Sequence, residues 1–241
     1  MKKLTVLLVL MAVVALFANA DVYVKTKTHS DAVSIMGQTT PAKDDVTEQW
    51  ISDNALAHIG KDQSFIIDLN RNVMDIINHG AKTYVEATLP VDFAKLLPPQ
   101  AAAMAGMMQM SATVTPGTET KKIGNWNCHL YKVNMSVMGM AMPLTVWAST
   151  DVPFDTAKFA TLFAALLKGQ MRFDDASVKE YLKIKGFQIA SEMNAEIMGA
   201  KIHTTSEALE IGLKTAPAGV YSVPKGYAKK DTLSMDEVQK R

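Results

Sequence analysis

Apolar and polar residues alternate in short runs along most of the chain, and turn residues separate the runs. Val22 and Val24 alternate with Tyr23 and Lys25, the period-two pattern of a half-buried strand. Gly37 and Pro41 break that pattern, and residues 46–51, with Trp50, begin a second extended segment. Between Ser64 and His79 two β-branched runs flank Asn70 and Asn72, which tolerate turn geometry, so the stretch predicts a hairpin. Gly80 ends it, and residues 82–89 alternate again through Tyr84, Glu86 and Thr88.

At Pro90 the period changes. Residues 92–97 predict one or two helical turns, stopped by Pro98-Pro99 because proline lacks the backbone donor. A second helix opening at Pro99 would put Met104, Met107 and Met108 on one face. Strands return after Ser111, with turns expected at Thr115-Pro116-Gly117 and Gly124-Asn125. Residues 128–137 read as a strand with His129, Tyr131, Val133, Met135 and Val137 on one face, turning near Gly139 into residues 144–148. The clearest helix carries Phe159, Leu162, Phe163, Leu166 and Leu167 on one stripe, with Asp155 its expected N-cap and Gly169 its expected stop. After a short helical segment over 175–182, residues 183–197 and 201–213 predict two long strands joined near Gly199. Residues 217–227 are a Gly/Pro-rich end segment. From Asp231 the chain is a polar tail expected to fray, although Ser234 and Glu237 have capping-box spacing.

The N-terminus bears on the compartment. Lys2 and Lys3 precede an uncharged, mostly apolar run over residues 4–17 and then Ala18-Asn19-Ala20. That is the layout of a cleavable signal peptide over residues 1–20, too short for a bilayer span. Asp21, not Cys, follows the expected cut, so a lipid anchor at that position is not expected. The mature chain would be periplasmic or secreted, with one β-rich domain over 21–230 and a tail over 231–241. Without Lys2 and Lys3 it carries 23 basic and 24 acidic residues, net −1, which lacks the basic footprint of a nucleic-acid binder. No later run reaches transmembrane length.

Candidate chemistry is sparse. There is no His-Glu-x-x-His pair, Gly-x-Ser-x-Gly elbow or phosphate-binding loop, so no catalytic residue, enzyme activity or cofactor is expected. Asp68, Asn70 and Asn72 begin like a calcium loop, but Val73 and His79 stand where Gly and the closing Glu belong. The five histidines fall on separate segments, and Cys128 is a lone thiol expected to be buried. Methionine is the informative residue: eight of the 16 lie between Met104 and Met142. Three readings account for them. Met104, Met107, Met108, Met135, Met138, Met140 and Met142, with Phe159 and Phe163, could line an apolar ligand pocket, since thioethers adapt to varied shapes. They could be plain core. Or Met138, Met140 and Met142, with Cys128 and His129, could bind Cu(I), which soft thioethers select.

Three segments carry a resemblance: Val22-Tyr-Val-Lys-Thr-Lys-Thr28, Ile123-Gly-Asn-Trp-Asn-Cys-His-Leu-Tyr-Lys-Val133 and Ala218-Gly-Val-Tyr-Ser-Val-Pro-Lys-Gly-Tyr227. Together they resemble an uncharacterised family of exported bacterial proteins, a domain of unknown function whose layout is similar to the LolA/LolB-like lipoprotein carriers. The resemblance implies a mostly β fold with α insertions, a curled antiparallel sheet or incomplete β-barrel whose helices cover an apolar cavity. It implies a soluble carrier of a lipid, a lipoprotein acyl chain or another apolar ligand. The alternatives are a structural or interaction module without ligand and the Met-rich copper protein. These motifs are structural and specify no chemistry.

Overall fold

The computed structural model describes residues 20–35, 38–98, 102, 110–137, 139–171, 173–197, 199–234 and 237. The expected leader (except Ala20), Met104, Met107, Met108 and Met138 lie outside the described residues. The N-terminal half contains β1 (Asp21–Ser30), β2 (Val33–Ile35), β3 (Gln38–Thr40), β4 (Lys43–Ile51), β5 (Ala55–Ile59), β6 (Gln63–Asp68), β7 (Val73–Asn78), β8 (Thr83–Thr88) and α1 (Phe93–Leu96). The C-terminal half contains β9 (Met110–Ile123), β10 (Trp126–Val137), β11 (Met140–Ser149), α2 (Ala160–Met171), α3 (Asp175–Tyr181), β12 (Phe187–Ile197), β13 (Ala200–Lys214) and β14 (Ala228–Lys230).

Twelve strands form one sheet in the order β14-β8-β7-β6-β5-β4-β1-β13-β12-β11-β10-β9, antiparallel except where β14 meets β8. The sheet curls without closing into a barrel, the mostly β architecture that the periodicity predicts. Strand β1 lies at its centre, between β4 and β13, and joins the meander β4–β8 to the C-terminal hairpins. That central place is why Val22, Tyr23 and Val24 are all buried, where alternation predicts one wet face.

The meander is buried on both faces. On one, Val24, Ile51, Leu56, Ile67 and Met74 pack with Leu96, Phe159 and Leu162. On the other, Tyr23, Trp50, Ile66 and Ile77 are covered by Val220, Tyr221, Val223 and Tyr227 of the Gly/Pro-rich segment. Two-sided burial explains why residues 64–67 and 74–77 are almost continuously buried instead of alternating. The covering segment is pinned by Tyr221 Oη–H, which donates to Asp21 at 2.8 Å, and by His79, which joins Ser64 Oγ at 2.7 Å to Tyr227 Oη at 3.0 Å. Ser64 is buried, so this Ser–His contact fastens the cover and presents no nucleophile.

Four expectations are corrected. Strand β9 runs unbroken through Thr115-Pro116-Gly117, which is an irregularity in the edge strand and not a turn. Proline is tolerated there because an edge residue needs no outward donor. Helix α2 continues past Gly169 to Met171. That glycine is buried, and a Cβ on it would run into the Met74 sulfur, so it serves close helix–sheet approach and does not end the helix. Residues 183–186 are not strand: the N–H groups of Leu182, Lys183 and Ile184 bond back to Val178, Glu180 and Tyr181, and β12 starts only at Phe187. The described part of the tail is docked, with Leu233 and Glu237 both buried.

Helix α3 also guards the sheet edge. Ala112 N–H donates to Ser177 Oγ at 2.9 Å and Val114 N–H to Glu180 Oε2 at 3.1 Å. Two donors that could template a foreign strand are thereby occupied.

Glu237 anchors the tail through the capping box that its spacing predicts. Ser234 N–H donates to its carboxylate at 2.6 Å, Glu237 N–H donates to Ser234 Oγ at 3.3 Å, and Asn78 and Lys230 add donors at 2.8 and 3.2 Å. Burial opposes ionisation, but these donors outweigh it and hold the carboxyl at about 2. The folded value lies below the ordinary 4.5, so the stabilisation is complete above that pH and fades as pH falls towards 2. It corresponds to about 3 kcal/mol. Glu237→Gln should therefore cost about 2–3 kcal/mol in denaturant titrations at pH 7 and clearly less at pH 3. Equal losses at both pH values would show that shape, not charge, anchors the tail.

Candidate ligand cavity

Between α2 and the concave face of the sheet lies a cavity of about 820 Å³. Its origin is the way α2 and the 3-10 turn that leads into it, Thr156–Phe159, divide one apolar stripe. Phe159 and Leu162 enter the core of the meander, whereas Leu167 packs with Tyr131, Val133 and Val146 of the C-terminal half. Phe163 and Leu166 stand between them, over the seam where β1, β13 and β12 meet. The seam residues below are small: Thr26 lies opposite Ala208 and Ser206 opposite Ser191, and only Thr204 has a large residue, Met193, across from it. A large-residue roof over a small-residue floor leaves the space open.

Met135, Leu144, Met193 and Phe187 extend the apolar wall. Thr150, Leu182 and Lys185 are exposed and border the mouth. Lys185 is the one charged residue lining the cavity among the described residues. Burial pushes the Tyr181 hydroxyl up to about 12, so it remains a neutral donor. It bonds to Gln188 Oε1 at 3.0 Å, and Gln188 Nε2–H donates to Ser191 Oγ at 3.2 Å.

Of the residues singled out from sequence, Met135 and Phe163 line this cavity. Phe159 is a core residue, its ring against Phe154 and Phe163 with centroids 5.8 and 6.5 Å apart. Met142 lies opposite Met135 and packs on the C-terminal core, while Met140 lies opposite Val137 beside the hairpin turn. Cys128 is opposite Lys121, far along the hairpin. Seven strand positions separate it from Met135, roughly 23 Å at about 3.3 Å each. Cys128 and His129 therefore do not meet Met140 and Met142. The thiol is fully buried, bonds to the Trp126 carbonyl at 3.6 Å, and is pushed up in pKa by that burial. No group of three His, Cys, Asp or Glu among the described residues is placed to hold a metal.

Two histidines do converge, away from the cavity lining. Asp31 receives His29 Nε2 and His203 Nδ1, each at 3.0 Å, and Asp44 receives His29 Nδ1 at 2.8 Å. The Asp44 bond, more than any other contact, raises the His29 pKa.

The floor hydroxyls escaped a reading tuned to apolar residues, yet β1 carries their signal. Thr26, Thr28 and Ser30 alternate with Lys25, Lys27 and His29, so one face is neutral and hydroxylated while the other is charged.

No family model and no curated protein matches the chain. Among solved structures, PNGF-II is similar over 86% of this chain, at 12% identity and a TM-score of 0.39; the similarity spans 31% of the PNGF-II chain. A DUF1329 family protein from Desulfovibrio piger is similar over 88% of this chain and 92% of its own, at 6% identity and a TM-score of 0.30. Likenesses of this degree assign the chain neither a family nor an activity.

Proposed function

We propose that the protein is an exported binding protein or carrier for a lipid or similar apolar ligand, a lipoprotein acyl chain included. The cavity beneath α2 carries this reading. Its 820 Å³ falls within the range of small-molecule sites, roughly 300–1,000 Å³. Its lining is mostly apolar with a few polar side chains among them, the composition of a small-molecule site. The resemblance to lipoprotein carriers points the same way. The leader over residues 1–20 would deliver the mature chain to the periplasm or the medium. No helix among the described residues is long and apolar enough to cross a membrane.

Native mass spectrometry of protein purified from its own compartment tests the proposal. The expected spectrum shows one additional mass of acyl-lipid size per chain. Delipidated protein should then bind an uncharged apolar fluorophore that lipid displaces. Protein that carries no lipid and takes up no fluorophore would contradict the reading.

A further inference from the structure

We infer that the ligand carries an uncharged hydrogen-bonding head, of the ester or hydroxyl kind found in glycerides, and that the head lies over the hydroxyl-bearing seam of the sheet. The inference rests on the cavity being the ligand site. Thr26, Gln49, Ser191, Thr204 and Ser206 come together on the floor from four strands, β1, β4, β12 and β13. The side chains of Thr26, Gln49 and Ser206 have no hydrogen-bond partner among the described residues. Ser191 and Thr204 keep single neutral partners, Gln188 at 3.2 Å and Ser30 at 3.3 Å. Donors and acceptors lie side by side there, as an ester or a diol needs. A carboxylate or phosphate would instead be taken from water with no cation opposite it, which is strongly unfavourable. The one lining cation, Lys185, is exposed at the mouth.

The apolar walls suit the tail of the same ligand. Phe163, Leu166 and Leu167 from α2, with Leu144 and Met193 from the sheet, form a sleeve beside the hydroxyls. One molecule lying across floor and sleeve would satisfy both surfaces. An anionic amphiphile could satisfy only the sleeve, unless it turned its head out to Lys185.

Displacement of an uncharged anthracene-type fluorophore from the full-length purified protein tests this, with monolauroylglycerol and laurate as competitors at pH 8. The glyceride should displace the fluorophore at least tenfold more effectively. Ser191→Ala/Thr204→Val/Ser206→Ala should reduce that preference by about two- to tenfold for each hydrogen bond lost. Preference is read as the ratio of the two competitors on the same variant, and cooperative thermal unfolding reports that the variant is folded. Laurate competing equally well, and losing that ability in Lys185→Met, would overturn the inference in favour of a charged head at the mouth. A preference that survives the triple variant would also overturn it, while leaving the apolar cavity intact. If wild type fails to bind the fluorophore at all, the cavity reading falls and this inference with it.

Discussion

The double replacement Ser191→Phe/Ser206→Phe is expected to raise the melting temperature and to weaken apolar-probe binding by roughly a hundredfold or more, about 2.7 kcal/mol. The two serines are cross-strand neighbours and both face the cavity. Opposed aromatic rings on a sheet contribute about 0.5–1 kcal/mol as a pair. Each ring also gains burial beneath Phe163 and Leu166, worth up to about 1.5–3 kcal/mol if complete. The same rings would occupy the middle of the space a ligand needs. The sign of the stability change is the informative quantity. In a packed core, added volume costs about 1–3 kcal/mol, so Ser64→Phe, at a site 1% exposed, should destabilise. Thermal unfolding and a fluorescence titration of both variants decide the matter. Loss of stability in the double variant, or retained binding, would show that no usable cavity lies over Ser191 and Ser206.

Much of the fold was legible because its signals are local. The β6–β7 hairpin follows from two β-branched runs around Asn70 and Asn72, and Asn72 does adopt φ 55°. The Phe159 to Leu167 stripe gives α2 together with the 3-10 turn before it, Thr156–Phe159, which Asp155 caps, and Ser234 with Glu237 gives the capping box. What was not legible depends on partners distant in sequence. Nothing within residues 21–30 indicates that β1 pairs with β13, some 180 residues later, yet that pairing creates the seam. The stripe of α2 says which residues are buried but not that they divide among two cores and a cavity roof. Gly169 reads as a helix stop until Met74 is seen against it. The cavity floor was missed for a different reason. Hydroxyls on alternate positions look like solvated strand until a helix is found above them.

Gly186→Ala should cost more than about 3 kcal/mol and should weaken probe binding in parallel. Gly186 has φ 91°, a region where an L side chain is strained by about 1–2 kcal/mol. Strain is the smaller part. A Cβ there would collide with the Ser149 carbonyl group and lie 2.9 Å from Thr150 N. These are backbone atoms at the end of β11, so no rotamer change relieves the overlap and the chain itself must move. Residue 186 joins the end of α3 to β12, and its neighbours Lys185, Phe187 and Gln188 border the cavity. Displacing them opens the packing of Phe187 against Phe154 and Phe163, whose centroids lie 5.6 and 6.1 Å away. Gly199 supplies the control. Its φ is 79°, but nothing lies within 4 Å of a Cβ built there, so Gly199→Ala should cost only the backbone strain, about 1–2 kcal/mol, and leave binding unchanged. Urea unfolding of both variants, each paired with a probe titration, separates the two terms. If the two alanines cost the same, the close approach of residue 186 to Ser149 does not hold the cavity wall in place.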